Sequence, residues 1–174
     1  MKVYDGSSQT EQTQESEPER VKVGIAEYEV TTDGAVLTTS GLGSCIGIAL
    51  YDTGTGAAGL VHVMLPSADE MEDGNAAKFA DTGTELLIEE MERAGADASR
   101  IEAKIAGGSD MLDFSDSGSG IGDRNVAKVR ETLDEYGIPI VGEDVGGDHG
   151  RSVRLESQSG DLVVKSANTE NTRL

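Results

Sequence analysis

The chain has 174 residues, of which 33 are acidic and 14 are basic, so its formal net charge at pH 7 is -19. Such a charge repels phosphate backbones and anionic lipids, which argues against nucleic acid and membrane surfaces as partners. The length fits one domain with a real hydrophobic core. Because acidic residues occur in nearly every segment, the charge favours a solvated surface adapted to high salt over a single acidic docking patch. A source organism that lives in high salt, taken to be an archaeon, follows as a hypothesis.

Cysteine usage and apolar runs restrict the location of the protein. Cys45 is the only cysteine, which excludes an internal disulfide and any metal site built from several cysteines. No apolar run reaches the length of about 18 residues that marks a transmembrane helix, and the N-terminus lacks the apolar core of a signal peptide. We therefore expect a cytoplasmic protein that keeps its thiol reduced and does not insert into a membrane.

The first part of the chain predicts a polar arm followed by strands. Residues 1–20 are polar and lack apolar periodicity, so they predict a disordered acidic arm, and residues 21–174 are predicted to form a single domain. Apolar residues between turn-forming residues predict four strands, over residues 21–30, 34–40, 46–52 and 59–65. Pro66 ends the fourth strand, because proline cannot donate to a central ladder.

The second part of the chain mixes helices with strands. Apolar residues at helical spacing predict one helix within residues 75–95 and another over 124–137, each stopped by a glycine. A short strand is predicted over 101–107, a loop rich in Gly, Ser and Asp over 108–120, and three strands over 138–145, 151–157 and 161–166. Many strands with two interleaved helices indicate a layered α/β fold rather than a pure sandwich.

Cys45 is the candidate nucleophile. It follows the glycine-rich stretch 41–44 and precedes an apolar strand. Glycines let a substrate approach the backbone closely, and successive N–H groups in such a turn can hold a developing oxyanion. The backbone N–H groups of Gly43, Ser44 and Cys45 are therefore candidate oxyanion donors. The alternative is that Cys45 is simply a small buried apolar residue, which is the usual state of a free cysteine.

His62 is the candidate base, since the only other histidine, His149, lies in a loop of Gly and Asp residues. An imidazole within about 3–4 Å of the thiol could activate it. Cys45 would then react with iodoacetamide at pH 7 faster than an unperturbed thiol with a pKa of about 8.5. A symmetric hairpin closed at residues 53–58, however, would place His62 beside Ala49, so a bulge or an asymmetric turn is needed to bring it near Cys45. A lone histidine in an apolar strand is also commonly a satisfied core residue.

Two further groups of residues have weaker signals. The hydroxyl of Thr39 or Ser40 could orient the imidazole or bind a substrate amide, although an ordinary strand-end role explains either residue equally well. Asp110, Asp113 and Asp116 resemble a calcium loop only weakly, because no glutamate closes the loop at the required offset. We therefore predict no metal and no cofactor.

Several ordered blocks of the sequence resemble the CheD family of chemoreceptor glutamine deamidases. The first block runs from Thr39 to Cys45 and is followed by the block His62–Pro66. The resemblance continues in four later blocks, at residues 103–108, 121–125, 144–147 and 150–151. Agreement of several blocks in order, across residues 21–166, makes the resemblance specific. Ser40 and Ser109 depart from the family pattern, and neither belongs to the Cys/His pair.

The resemblance implies a three-layer α/β/β sandwich and hydrolysis of receptor glutamine side chains to glutamate with release of ammonia. It also implies a catalytic set, with Cys45 as nucleophile, His62 as base and then acid, and Thr39 as the orienting hydroxyl. The expected partners are the cytoplasmic helices of chemoreceptors, as substrate, and the phosphatase CheC. The rivals are a cysteine protease or transglutaminase with the same nucleophile, and a non-catalytic adaptor that binds CheC or the receptor.

Overall fold

The computed structural model describes residues 18–67, 74–110, 120–166 and 170–174. The strands of this part of the chain are β1 (Arg20–Lys22), β2 (Tyr28–Thr31), β3 (Val36–Leu42), β4 (Ile46–Asp52), β5 (Ala58–Val63), β6 (Ile101–Gly107), β7 (Ile140–Val145), β8 (Arg151–Glu156), β9 (Asp161–Ser166) and β10 (Thr172–Arg173). Its α-helices are α1 (Ala80–Arg93) and α2 (Ile121–Glu135). Two short 3₁₀ helices, Ala76–Lys78 and Ala98–Arg100, precede α1 and β6.

The strands form two mixed sheets of five strands each. The first sheet has the order β10-β9-β8-β3-β1, and the second has the order β2-β5-β4-β6-β7. β1 runs parallel to β3, and β6 runs parallel to β7, whereas the other neighbouring pairs are antiparallel. β3 and β4 are consecutive in the chain but lie in different sheets, so the chain crosses between the sheets at residues 43–45.

Two apolar cores separate three layers. One core joins the helices to the second sheet and includes Ile48, Val61, Leu87 and Val129. The other joins the two sheets and includes Leu37, Ala49, Leu60, Val153 and Leu162. Strand residues of the second sheet alternate between these cores, as the two-residue period of a strand requires. The predicted three-layer α/β/β sandwich is confirmed.

The first predicted strand, over residues 21–30, is wrong as a single element. The chain forms β1 in the first sheet and β2 in the second, and residues 23–27 connect them. Ala26 takes a positive φ of 60°, and its N–H donates to the carbonyl of His62 at 2.9 Å. A left-handed alanine is unusual, so tertiary hydrogen bonding has overridden the apolar pattern at this point.

The predicted helices are present with shifted ends. Phe79 is extended and fully buried, so it divides the predicted helix 75–95 into a 3₁₀ turn and α1. α2 begins at Ile121, three residues before the predicted start. Of the predicted arm, residues 1–17 lie outside the described residues, and Arg20 already belongs to β1. Most of the predicted loop, residues 111–119, also lies outside them.

Candidate active site at the crossing between the sheets

Cys45 lies at the end of the crossing between the sheets, immediately before β4. The ladder of β3 with β8 is irregular between Thr39 and Leu42, and Gly41 has a φ of +76°. That conformation favours glycine, because in any other residue it would bring the Cβ too close to the following carbonyl oxygen. The glycine-rich stretch therefore turns the chain out of the first sheet and brings the thiol, which is half-buried, to the start of the second.

The register of the β4–β5 hairpin places Cys45 and His62 on one face. Gly47 pairs with His62, and Cys45 lies two residues before Gly47, so both side chains point towards the first sheet. Diagonal neighbours of this kind have Cα atoms about 7–8 Å apart. The symmetric hairpin considered above, with His62 beside Ala49, is not formed. Asp52 pairs with Ala57 instead, because the Asp52 carboxylate binds the N–H groups of Gly54 and Thr55 inside the turn.

Thr39 reaches His62 from the opposite sheet. Its hydroxyl donates to the carbonyl of Val23 at 2.7 Å, and its oxygen lies 2.8 Å from Nδ1 of His62. Because the single hydroxyl proton is used on Val23, the oxygen must accept, and Nδ1 must carry a hydrogen. The Nε2 atom is therefore the basic nitrogen. It is buried and has no hydrogen-bond partner among the described residues.

Gly47 makes room for this contact between the sheets. A Cβ added at Gly47 would lie 3.3 Å from Cδ1 of Leu42 and 3.7 Å from Cγ2 of Thr39. The first distance is tighter than ordinary van der Waals contact. Glycine opposite His62 thus lets the two sheets approach closely enough for Thr39 and His62 to form their hydrogen bond.

Burial sets the protonation states of the pair. It raises the pKa of the Cys45 thiol and lowers the pKa of His62. Both directions favour a neutral thiol beside a neutral imidazole in the resting protein. They oppose the expectation that Cys45 would be unusually reactive at pH 7 before substrate binds.

The carbonyl groups around Cys45 all point into the protein. The carbonyl of Gly43 accepts from the N–H of Ser109 at 2.8 Å, and that of Cys45 accepts from the N–H of Gly108 at 2.9 Å. The carbonyl of Ser44 accepts from Nδ2 of Asn125 at 2.8 Å. In a trans peptide the C=O and N–H groups point in opposite directions. The N–H groups of Ser44 and Cys45 therefore point away from the donors that hold the carbonyls of Gly43 and Ser44.

The three predicted oxyanion donors differ in their bonding. The N–H of Gly43 donates to the carbonyl of Gly41 at 3.0 Å, within the turn itself. No backbone hydrogen bond outside the strands uses the N–H of Ser44 or Cys45 in the part of the chain that the structure describes. Ser44 and Cys45 therefore remain the better placed of the three.

Gly107 and Gly108 lie in close contact with the backbone of Cys45 and with α2, respectively. A Cβ on Gly107 would lie only 2.2 Å from the carbonyl oxygen of Cys45, and Gly107 has a φ of +117°. A Cβ on Gly108 would lie 2.5 Å from Cγ2 of Val126 on α2. Any side chain at these positions would push either the Cys45 backbone or the helix away.

Asn125 is a candidate positioning residue to which the sequence analysis assigned no role. It is fully buried on α2, and its Nδ2 donates both to Ser44 and to the carbonyl of Met64 at 2.9 Å. One amide group thus ties the residue before Cys45 to the strand that carries His62. An amide on the buried stripe of α2, beside Val126 and Val129, was the signal in the sequence that could have revealed it.

The described residues show neither a metal site nor a membrane-spanning helix. Residues 18–67, 74–110, 120–166 and 170–174 contain no group of three His, Cys, Asp or Glu side chains that could hold a metal ion. Of the three aspartates in the weak calcium pattern, Asp113 and Asp116 lie outside those ranges. None of the helices in them has the length and apolar character required to cross a membrane.

A family model and several curated relatives are similar to this chain. The family model described as CheD chemotactic sensory transduction matches residues 64–166. A Haloarcula marismortui protein is 69% identical over 174 residues, which is 100% of each chain, and a Natronomonas pharaonis protein is 45% identical over 90% of this chain and 93% of its own. A Caldanaerobacter subterraneus protein is 48% identical over 84% of this chain and 92% of its own.

All three relatives carry the name "Probable chemoreceptor glutamine deamidase CheD". A solved structure, a hypothetical protein YfiH of Bacillus licheniformis, matches with a TM-score of 0.45 at 15% identity, over 67% of this chain and 49% of its own, which is too distant to bear on function. The Haloarcula and Natronomonas relatives agree with the salt-loving archaeal origin expected from the acidity. With a family model that matches more than half of the chain and relatives aligned along nearly all of it, the chain belongs to the CheD family.

Proposed function

We propose that this protein is a chemoreceptor glutamine deamidase, which converts receptor glutamine side chains to glutamate and releases ammonia. The observation that carries the proposal is the buried Nε2 of His62, which has no partner among the described residues and faces the same side as Cys45. A structural histidine in a core would normally have both ring nitrogens satisfied. The names of the full-length relatives support the same activity and its role in chemotaxis.

The first half of the proposed reaction forms a thioester. As the Cys45 sulfur attacks the carboxamide carbon, its proton passes to Nε2 of His62. The carbonyl oxygen becomes an oxyanion, held by the N–H groups of Ser44 and Cys45 and, if its turn opens, that of Gly43. The imidazolium then donates its proton to the amide nitrogen, the C–N bond breaks, and ammonia leaves.

The second half of the proposed reaction uses water in place of the thiol. His62 accepts a proton from the water as its oxygen attacks the thioester carbon, and the C–S bond then breaks. The proton returns to the thiolate, so the enzyme is regenerated and the product is a glutamate side chain. The oxygen of Thr39 accepts the Nδ1–H throughout, which fixes the orientation of the ring, keeps Nε2 as the basic nitrogen and stabilises the imidazolium. No cofactor enters either half.

The proposed partners follow from the family. The substrate is the cytoplasmic helical region of chemoreceptors, so the protein would act in the cytoplasm, and CheC is a second expected partner. A target glutamine on such a helix lies on a convex surface, which a nucleophile at a corner between sheets can approach. Small residues beside the glutamine would help, because bulky ones would hold the helix away from Cys45.

The test is deamidation of a purified receptor cytoplasmic fragment, assayed at high and low salt. We expect ammonia release and a mass gain of about 1 Da per modified glutamine, since NH₂ is replaced by OH. Cys45→Ala should abolish both while unfolding at the same denaturant concentration, because the change removes little buried volume. Persistent deamidation by Cys45→Ala would exclude the mechanism. Peptide cleavage or amine incorporation would indicate a protease or transglutaminase, and CheC binding without any turnover would indicate an adaptor.

A further inference from the structure

The outward face of the first sheet carries a groove with an unusual charge. Since the helices pack on the second sheet, this face points away from them. The groove is lined by four basic residues, Arg20, Lys22, Arg154 and Lys165, together with hydroxyl-bearing and apolar residues, and none of the described residues that line it is acidic. In a chain with 33 acidic and 14 basic residues, this local charge is opposite in sign to the surface as a whole.

Three of these cations are available to a partner. Arg20, Lys22 and Lys165 are exposed, and none of them pairs with a carboxylate in the part of the chain that the structure describes. Arg154 differs, because its Nε lies 3.0 Å from a carboxylate oxygen of Glu156. The groove therefore keeps uncompensated positive charge although carboxylates are abundant elsewhere in the chain.

The strand register places two of the basic residues, Lys22 and Arg154, in one row across the sheet. Lys22 pairs with Thr38, and Thr38 pairs with Arg154, so the two basic side chains flank β3 in one cross-strand row. With strands about 4.8 Å apart, the row separates them by roughly 10 Å. That spacing is close to the rise of about 10.5 Å over seven residues of an α-helix. Carboxylates two helical turns apart could therefore meet both cations.

The groove leads to the catalytic corner. Ser40 contributes to its lining, and the glycine-rich stretch that leads to Cys45 begins at the next residue, Gly41. The side chain of Thr39 faces the other way, into the space between the sheets, where its oxygen holds Nδ1 of His62. A protein segment lying in the groove would therefore extend towards Cys45. We propose that this basic groove, Arg20, Lys22, Arg154 and Lys165, binds an acidic helical segment of the substrate next to the target glutamine, an inference that rests on the proposed deamidase activity.

High salt makes such a local site effective in an acidic protein. At about 1 M salt the Debye length is near 3 Å, so the net charge of -19 no longer repels an acidic partner at a distance. Only ion pairs in direct contact then matter, and these are supplied by the groove. Nucleic acid fits less well, because its phosphates are about 1.7 Å apart along the duplex axis and would also face the carboxylates around the groove.

The test compares two helix-forming peptides, each with one glutamine between alanines. One has two glutamates seven residues apart, the nearer of them one turn from the glutamine, and the other has serines at both positions. The groove variant is Arg20→Thr, Lys22→Thr, Lys165→Thr, since threonine suits a strand and adds no glutamine that the enzyme could modify. The matched control is Arg93→Ala on α1, which removes an exposed cation that pairs with Glu90. Binding is followed by fluorescence anisotropy, and turnover by ammonia release, at low and high salt.

We expect wild type and Arg93→Ala to bind the acidic peptide more tightly than the serine peptide. For the acidic peptide, the groove variant should bind about tenfold more weakly and have a KM about tenfold higher, with kcat unchanged. Each exposed ion pair contributes only a few-fold, and the variant removes three cations. Equal losses for both peptides, no loss, or equally tight binding of a DNA duplex would overturn the inference. Charge-dependent binding without ammonia release would instead refute the proposed deamidase and leave the groove as a docking site.

Discussion

A buried polar group lies near each end of β4, and the two groups differ in whether they have hydrogen-bond partners. At the far end, the Asp52 carboxylate is fully buried and accepts from the N–H groups of Gly54 at 2.7 Å and Asp97 at 2.8 Å. Nε of Arg100 adds a contact at 3.1 Å. At the near end, beside Cys45, the buried Nε2 of His62 has no partner among the described residues. One end of the strand is satisfied and the other is left incomplete.

The comparison shows how burial can serve stability at one site and reactivity at another. Burial alone would raise the pKa of Asp52, but the N–H groups of Asp97 and Gly54 and the Arg100 guanidinium together hold that pKa far below its usual range. At His62 burial lowers the pKa, and Nε2 has no hydrogen-bond partner among the described residues. A fully paired group stabilises the fold, whereas an unpaired buried base is free to take a proton from a nucleophile.

The largest expected effect is on turnover and comes from His62, beside Cys45 at the start of β4. His62→Ala should lower kcat/KM by about 10²–10⁴-fold, since a general acid–base contributes that much. Ammonia release from the receptor fragment measures it. The matched control is His149→Ala, which changes the only other histidine, in the loop between β7 and β8. Equal activity of His62→Ala and His149→Ala would remove His62 from the mechanism.

The next effect concerns folding, at the satisfied end. Asp52→Asn should lower the free energy of unfolding by about 2–4 kcal/mol, because it removes the charge from several hydrogen bonds to a buried group. The activity of the folded fraction should not change. Denaturant unfolding measures the loss, and Asp97→Asn, at an exposed carboxylate, should cost much less.

The pH dependence of stability sharpens this prediction. The folded-state pKa of Asp52 is lowered, so its contribution is present above the unfolded value of about 3.9 and is lost as the pH falls below it. Wild type should therefore lose stability between about pH 4 and pH 2 more steeply than Asp52→Asn. Parallel curves for the two proteins would show that Asp52 is not linked to folding in this way.

Asn125→Ala tests the tie between the nucleophile and the base. Without Nδ2, the carbonyls of Ser44 and Met64 lose their buried donor, and we expect kcat to fall about tenfold with KM little changed. Stability should also fall, by about 1–3 kcal/mol. Thr132→Ala is the control on the same helix, since its hydroxyl donates to the carbonyl of Lys128 within α2. A similar kcat loss in Thr132→Ala would assign the effect to helix stability instead.

The smallest expected effect is a change in the pH profile. His62 must be neutral to accept a proton and its pKa is lowered, so kcat/KM should fall only as the pH drops below about 6.5. Thr39→Val removes the acceptor for Nδ1–H and disfavours the imidazolium further. The acid limb should then move to lower pH and kcat should fall about 2- to 10-fold, with recovery in Thr39→Ser. An unchanged profile in Thr39→Val would show that the hydroxyl does not act on His62.

The layers and most elements were predictable because they depend on local patterns. Apolar periodicity indicated both helices and the strands around Cys45, and the glycine-rich stretch indicated a turn beside a nucleophile. The split at Ala26 and the extended Phe79 were not predictable, because hydrogen bonds with His62 decide the first and a backbone bridge to Leu65, just after β5, decides the second. Local patterns contain no information about such distant partners.

The residues of the candidate site were chosen by residue type, and their geometry could not be predicted. Sequence spacing left His62 beside Ala49, and the register was decided by the buried Asp52 carboxylate inside the turn. The burial that raises the pKa of Cys45 could not be predicted, because the sequence shows a neighbouring histidine but not how deeply the thiol is buried. Asn125 was missed because a single amide on a helix has no meaning until its two carbonyl partners are known.

The hydrogen bond between Thr39 and His62 joins the two sheets, so the geometry of the candidate site depends on how one sheet is stacked on the other. A slip of one sheet over the other by an ångström or two would separate the donor from the acceptor and leave every strand ladder intact. In dilute buffer, mutual repulsion among surface carboxylates would favour such loosening in a chain with a net charge of -19. On desalting, turnover would then disappear at a salt concentration where circular dichroism still reports a folded protein, and it would return when salt is restored.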